Sequence, residues 1–417
     1  MNSNYYFSVN KKKWSIKPIE ERKVNKLIQD LNISDLLARL ICSRGITTDK
    51  AEDFINPSLR NQLPSPMLLK DMDLAVNRIS KAFINKEKIA IFGDYDVDGA
   101  TSSAVLYKSF KLFGNEPIIY IPDRIKEGYG PNIDALKLLQ DQGVTLVITV
   151  DCGMTSFKEL DYAKDISLDI IVVDHHAPEA KLPSAIAVIN PNRIDDNTGL
   201  GMLAAVGVSF MLVGALKSKL VEIKFIDESN IPNLSFLLDL VALGTICDVV
   251  PLVGANRALV KQGLRVMSKR QNNGINALFE VSEIDDMPSV FHAGFLLGPR
   301  INAGGRVGES SLGSKLLTTD NISEAKEISF HLNGLNEERK QLEASVLDQA
   351  KNLALGYESD EILVLSSKNW HPGVIGIVAS RIVELYGKPA IIITENGLNS
   401  KGSGRSIAGK DLGRLIT

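Results

Sequence analysis

Short apolar runs alternate with stretches of helical spacing through the middle of the chain. Ile89 to Phe92 is followed by Thr101 to Phe113, Ile118 to Ile121 by Asn132 to Gln140, Thr145 to Val150 by Phe157 to Asp165, and Ile170 to Val173 closes the series. Runs of this length, bounded by polar residues, read as buried strands. Their alternation with helices predicts βαβ units and a mostly parallel sheet covered on both faces. Ahead of this region, Leu27, Leu31, Leu36, Leu37 and Leu40 keep a helical spacing and Pro57, Pro64 and Pro66 follow, which predicts a small helical entry region without evident chemistry. Beyond it, Leu234 to Pro251 reads as an apolar helix ending in the acid Asp248. Asn321 and Glu324 form a capping-box pattern that opens a long helix, with Ile328, Leu332, Leu335, Leu342, Val346 and Leu353 along one side. Continuous to residue 354, it would reach about 50 Å and suit a connector between domains. Strands are expected again at Ile362 to Leu365 and Ala390 to Ile393, and no strand-completing segment is expected between there and Thr417.

The expected fold class is therefore α/β. A helical region over 1–70 precedes a mostly parallel sheet domain over 71–275, then a connector over 276–355 with a phosphate-binding loop and the long helix. A second, smaller α/β domain over 356–417 is expected to be incomplete at its C-terminus.

Polar residues fall where the strands stop. The segment Lys88 to Thr101, KIAIFGDYDVDGAT, ends its strand with Asp94, Asp96 and Asp98 at alternate positions. Like charges this close repel unless a cation neutralises them, which points to a hard metal such as Mg²⁺ or Mn²⁺. An EF-hand loop begins similarly but needs Glu at its twelfth position, where this chain has Val105; a solvated acidic turn is the other plain reading. Asp151 ends TLVITVDCG, and Asp174, His175 and His176 end DIIVVDHH. Ligands of open α/β sheets bind beyond the carboxyl ends of the strands, so these separated motifs are expected to meet. Asp248 is either a helix-ending residue or a further ligand. In FLLGPRINAGGRVG, Phe295 to Gly308, the glycines allow close backbone approach while Arg300 and Arg306 can fork onto phosphate oxygens; a surface loop with incidental arginines is equally compatible. GSGRS at 402–406 offers N–H groups, a hydroxyl and a guanidinium to a terminal phosphate.

Composition narrows the class further. With 417 residues, 44% hydrophobic and 23% charged, the chain has the make-up of a soluble globular protein. Its length allows about two or three domains. A net charge of −3 advertises no general basic field, although an acidic metal site would offset a local basic groove in that sum. Cys42, Cys152 and Cys247 form neither a metal-spacing pair nor an even disulfide set, which suggests a reducing cytoplasm. The N-terminus lacks a signal-peptide core, and the longest apolar run, Leu203 to Leu216, is too short to span a bilayer.

GDYDVDGAT, VDCG, DHH and the acid of GTICDVVPL resemble, in order and spacing, the motifs of the DHH phosphoesterase superfamily. GPRINAGGRVG, LNGLNEERKQ, WHPGVIGIVASR and GSGRS are similar to the RecJ family of bacterial single-strand-specific exonucleases, and the resemblance covers about residues 70 to 417. It implies that Asp96, Asp98, Asp151, His175 and Asp248 ligate one or two Mn²⁺ or Mg²⁺ ions, with Asp94 beside them and His176 as a phosphate contact or support. It implies that Arg300, Asn302, Arg306, Ser403 and Arg405 meet nucleic-acid phosphates, including a 5′-phosphate, that Arg124 lines the strand's path, and that His371 belongs to a partial DHHA1 domain. The implied activity is hydrolysis of single-stranded DNA from its 5′ end to mononucleotides, in DNA repair and recombination. The implied setting is a cytoplasmic monomer, away from membranes, working with a helicase or single-strand-binding protein. Related readings are a phosphodiesterase for very short oligonucleotides or cyclic dinucleotides, and a replication scaffold without activity. The arginine-rich connector and long helix favour a polymer substrate, and the retained acids and His175 argue against a scaffold. Two departures stand out: Phe92 replaces a histidine carried by many DHH phosphoesterases, and neither a GGH-type motif nor an oligonucleotide-binding barrel occurs before Thr417.

Overall fold

Alternate residues of a strand face opposite ways, and here both faces are covered. The structure, a computed structural model, describes residues 5–9, 13–124, 126–357, 360–395, 397 and 400–416. Helices α1 (Glu21–Leu31) and α2 (Asp35–Ser43) close around a small core of their own, with Val24, Leu27, Ala38 and Ile41 inside, while Leu36 and Leu40 stay exposed. Helix α3 (Met72–Ile84) leads into strand β1 (Lys88–Gly93), which sends Ile89 and Ile91 to one face of the sheet and Ala90 and Phe92 to the other. Helix α4 (Val97–Leu112) connects to strand β2 (Ile118–Tyr120), and α5 (Ile133–Asp141) to β3 (Val144–Val150). Then α6 (Phe157–Asp165) connects to β4 (Asp169–Val173), and β5 (Ala187–Ile189) completes the sheet.

The strands run in the order β2-β1-β3-β4-β5, and every neighbouring pair is parallel. That order reverses between β1 and β3, the place where a doubly wound sheet leaves a crevice beyond its strand ends. Helices α5 and α6 cover one face; α3, α4, α7 (Ala205–Glu222) and α8 (Leu238–Cys247) cover the other. None of the helices among the described residues is long and apolar enough to cross a membrane.

The entry region expected to be helical also holds a short antiparallel strand pair, Tyr5–Phe7 with Lys13–Ser15, and three further expectations change. First, α4 begins at Val97 and not Thr101, because the Asp96 side chain caps it by accepting the Gly99 N–H at 3.1 Å. Second, the glycine-rich stretch expected as a phosphate-binding loop is helical, a π-helical segment His292–Leu297 running into α9 (Gly298–Val307). Its glycines serve contact, not looseness: a Cβ on Gly298 would fall 2.5 Å from Cys247 Sγ, and one on Gly305 would fall 3.1 Å from Tyr95. Third, the division expected at 275/276 falls inside the helix Asn273–Val281, whose Ile275, Leu278 and Phe279 belong to the main core.

Helix α10 (Ile322–Ala354) has 33 residues and is capped by Asn321, whose Oδ1 accepts the Ser323 and Glu324 N–H groups. Ile328 and Leu332 near its start lie in the main core, and Val346, Ala350 and Ala354 near its end lie in a second one. One continuous helix therefore ties two cores together. The second core belongs to a smaller sheet of β6 (Leu363–Ser367), β7 (Ala390–Thr394) and β8 (Lys401–Arg405) in the order β8-β7-β6. Its β6 and β7 are parallel and joined through α11 (Ile375–Tyr386); β8, where no further strand is expected from the sequence, is antiparallel to β7 because Lys401–Arg405 hydrogen-bonds along the edge that β7 leaves open.

Candidate metal centre and anion cleft

The acidic motifs do meet, at the carboxyl ends of β1, β3 and β4 and the end of α8. Asp94, Asp98, Asp151 and Asp174 are buried, and Asp96, His175 and Asp248 are partly so. His175 Nε2 lies 3.4 Å from Asp151 Oδ1, 3.5 Å from Asp248 Oδ2 and 3.8 Å from Asp98 Oδ2. Ligand atoms group within 4.8 Å as Asp94, Asp96 and Asp151, as Asp98, His175 and Asp248, and as Asp151, His175 and His176. Asp151 and His175 are shared between groups, which is the geometry of adjacent cation positions.

Local backbone explains how the side chains are aimed. Gly99 lacks the Cβ that would fall 2.6 Å from the Asp94 carbonyl carbon, so the first turn of α4 folds back onto the DYD segment. Asp98 then reaches the N-terminus of α7 and accepts the Ala205 N–H at 2.7 Å and the Val206 N–H at 2.9 Å, a favourable place for a carboxylate. Asp151 sits in the left-handed region at φ 60°, and Tyr129 Oη donates to its carbonyl at 2.8 Å. A non-glycine residue held there is strained, and such strain clusters at functional sites. Asp174 accepts the His175 and His176 N–H groups and pairs with His176 Nδ1 at 2.7 Å, fixing the turn that presents both rings.

Electrostatics and satisfaction point the same way. Asp94 Oδ1, Asp151 Oδ1, His175 Nε2 and Asp248 Oδ2 are buried and have no hydrogen-bond partner among the described residues. Burial, with the Asp96 charge next, pushes Asp94 up to about 8 and Asp98 up to about 7. Burial and Asp98 push Asp248 up to about 7, and Asp151 stands well above the carboxylate range for the same kind of reason. Burial lowers His175, whereas the hydrogen bond to Asp174 raises His176 to about 9. Carboxylates forced together this way call for a cation, and oxygen donors with one imidazole suit Mn²⁺ or Mg²⁺. Phe92, on β1, stacks on Tyr120 with ring centroids 5.1 Å apart. Cys152 and Cys247 are free thiols that burial pushes up, consistent with packing residues.

A second feature adjoins the first. A cleft of about 470 Å³ opens between the main body and the smaller sheet, lined among others by Tyr95, Arg124, Arg306, Ser403 and Arg405. Arg124 stacks over the Tyr95 ring at 4.9 Å, and Arg306 donates to the Gly373 carbonyl at 3.1 Å. Burial first, then Arg124 and Arg339, push Arg306 down to about 10, so it stays charged at neutral pH. None of Arg124, Arg306 and Arg405 makes an ion pair among the described residues. The start of α11, at Ile375 and Gly376, also faces the cleft, adding helix-terminal N–H groups.

The cleft thus gathers Arg124, Arg306, Ser403 and Arg405 from the residues singled out in the sequence. Arg300 is turned away, donating to Asn333 Oδ1 at 2.9 Å and to the Leu296 carbonyl at 2.7 Å. Asn302 is half-buried on α9 and does not line the cleft, and His371 Nδ1 accepts the Gly373 N–H. Sequence reasoning passed over Tyr95 and Tyr129; their place inside the DYD and EGYG motifs was the available signal. It also gave no role to Asp174, the acid of DHH itself.

A strand-order reversal with acids at the strand ends and a DHH turn defines a DHH-type domain, and residues 88–245 match the family model described as DHH family, N-terminal domain. Among curated proteins, the chain is 36% identical over 407 residues to the single-stranded-DNA-specific exonuclease RecJ of Bacillus subtilis, covering 96% of this chain and 50% of that protein. It is 40% identical over 389 residues to the protein of the same name from Salmonella typhimurium, covering 91% and 67%. Among solved structures, RecJ from Thermus thermophilus in complex with Mn²⁺ aligns with a TM-score of 0.79 at 30% identity, covering 95% of this chain and 55% of that one. The chain belongs to the RecJ family. It spans about half to two thirds of the length of these curated relatives.

Proposed function

We propose that this chain carries the nuclease centre of a metal-dependent exonuclease that hydrolyses single-stranded DNA from the 5′ end to mononucleotides, in DNA repair and recombination. The observation that carries this reading is the convergence of Asp94 Oδ1, Asp151 Oδ1, His175 Nε2 and Asp248 Oδ2, buried and without a hydrogen-bond partner among the described residues, beside a cleft whose arginines make no ion pair among those residues. Asp94, Asp96 and Asp151 would hold one divalent ion, and Asp98, His175 and Asp248 another. When bound, Mn²⁺ or Mg²⁺ would supply a nucleophilic water at neutral pH and neutralise charge on the leaving 3′-oxygen.

The chain's own residues place the strand. Arg124 and Arg306 meet backbone phosphates, and Ser403 and Arg405 at the edge of the smaller sheet meet the terminal 5′-phosphate. Asp174 holds His176 by one ring nitrogen, leaving the other to meet a phosphate oxygen beside the centre. The reading makes single-stranded DNA the partner, and it sets a monomer in the cytoplasm beside a helicase or single-strand-binding protein. Relatives named for single-stranded DNA at 36% and 40% identity support the substrate, and free cysteines support the compartment.

The test is a 5′-phosphorylated single strand labelled at its 3′ end, incubated with the chain and Mn²⁺. A ladder shortening from the 5′ end is expected. Shortening from the 3′ end, or internal cuts alone, would overturn the proposal.

A further inference from the structure

We propose that Phe291 and Phe295 form a base-stacking platform for the part of the strand that has not yet reached the metal centre. The inference rests on the single-stranded-DNA reading above and extends it to two residues outside the cleft. The two rings are stacked, with centroids 5.3 Å apart and planes 23° from parallel, yet they are 57% and 69% exposed. Hydrophobic stacking that stays this open leaves a broad π-face to solvent. Met287, Val290 and Val249 are also exposed, and Val249 directly follows the candidate ligand Asp248.

Position links this patch to the cleft. The helical segment that bears the phenylalanines is seated on the end of α8: Cys247 Sγ lies 3.4 Å from the Ala293 carbonyl, and a Cβ on Gly294 would lie 3.4 Å from Ile246. Ala293, Leu297, Gly298, Ile301 and Gly304 form its buried side. Phe291, Phe295, Asn302 and Arg306 recur at intervals of four and seven, so they share the other side. Arg306 ends that row in the phosphate cleft. At about 1.5 Å per residue, Phe295 is roughly 16 Å from Arg306 along the axis. A strand with its 5′ end in the cleft and its backbone on Arg306 would run past Asn302 to the phenylalanines, which would carry its bases. Stacking of this kind is tolerant of sequence, as an exonuclease that must process any strand requires.

The test compares kcat/KM with Mn²⁺ on a 5′-phosphorylated decamer and a 5′-phosphorylated dinucleotide, for the natural chain and for Phe291→Ala with Phe295→Ala. The decamer should lose about fivefold or more, through KM, and the dinucleotide, too short to reach the platform, should not change. Phe→Leu at both positions keeps apolar volume without the ring and should lose most of the same. An unchanged decamer would overturn the proposal and leave the patch to a protein partner; an equal loss on both substrates would overturn it too. Should the natural chain cleave neither substrate, the nuclease reading itself fails, and binding still decides the platform. A decamer carrying 2-aminopurine should be quenched by the natural chain and not by the alanine variant; equal fluorescence with both would overturn the proposal.

Discussion

His175 Nε2 stands 3.5 Å from Asp248 Oδ2, and neither atom has a hydrogen-bond partner among the described residues. One follows a strand and the other ends a helix, so the chain brings them together without letting them satisfy each other. A shared cation accounts for that. His175→Ala and Asp248→Ala should each weaken Mn²⁺ binding, and the double variant should lose less than the sum, with a coupling of about 0.5–3 kcal/mol in calorimetric titration. Strict additivity would separate the two residues into unrelated roles.

Asp174 touches both histidine N–H groups and the His176 ring but is not among the grouped ligand atoms. It therefore acts through the turn it holds. Asp174→Asn should leave the fold cooperative and reduce Mn²⁺ affinity or turnover about 10- to 100-fold, the usual cost of losing a residue that orients ligands.

Arg306 remains charged in the cleft, held by the Gly373 carbonyl and without an ion pair among the described residues. If it meets a phosphate, Arg306→Ala should weaken binding to all single-stranded sequences alike. It should also flatten the dependence of log affinity on log salt by about 0.7. An unchanged slope would remove Arg306 from the strand's path.

Asp239, in the first turn of α8 and at the opposite end from Asp248, tests the effect of burial. It is 2% exposed, and burial pushes its carboxyl up to about 7 against the Leu240 N–H and Lys108. The folded state then holds the extra proton between the ordinary 3.8 and about 7, so the group's stabilising contribution is full at low pH and lost as pH rises through that window. Asp239→Asn keeps the Oδ1 acceptor for Leu240. It should raise Tm at pH 8 by about 2 °C or more, with the gap narrowing toward pH 5. A gap that widens at low pH would reverse the assigned sign.

Much of this was legible in the residues, for reasons of period and charge. A parallel sheet covered on both faces needs continuous apolar runs, and acids at their ends are costly without a purpose, so Asp94, Asp96, Asp98, Asp151 and His175 declared themselves. Other features were hidden because propensity misleads there. Val97 and Gly99 are poor helix formers, yet α4 starts at Val97 because Asp96 caps it. Gly298, Gly304 and Gly305 look like a loop, but each lets a helix lie close against Cys247, Leu332 or Tyr95. Arg300 reads like a phosphate ligand in sequence and is instead spent on Asn333. Such contacts come from elements distant in the chain, which no local pattern encodes.

Calorimetric titration of Mn²⁺ into the metal-free chain tests the central claim most directly. The account predicts saturable binding of one or two ions, abolished or weakened at least tenfold by Asp151→Ala, with circular dichroism showing the variant still folded. A natural chain that takes up no Mn²⁺, or a variant that binds it unchanged, would contradict the assignment of this cluster as a metal centre.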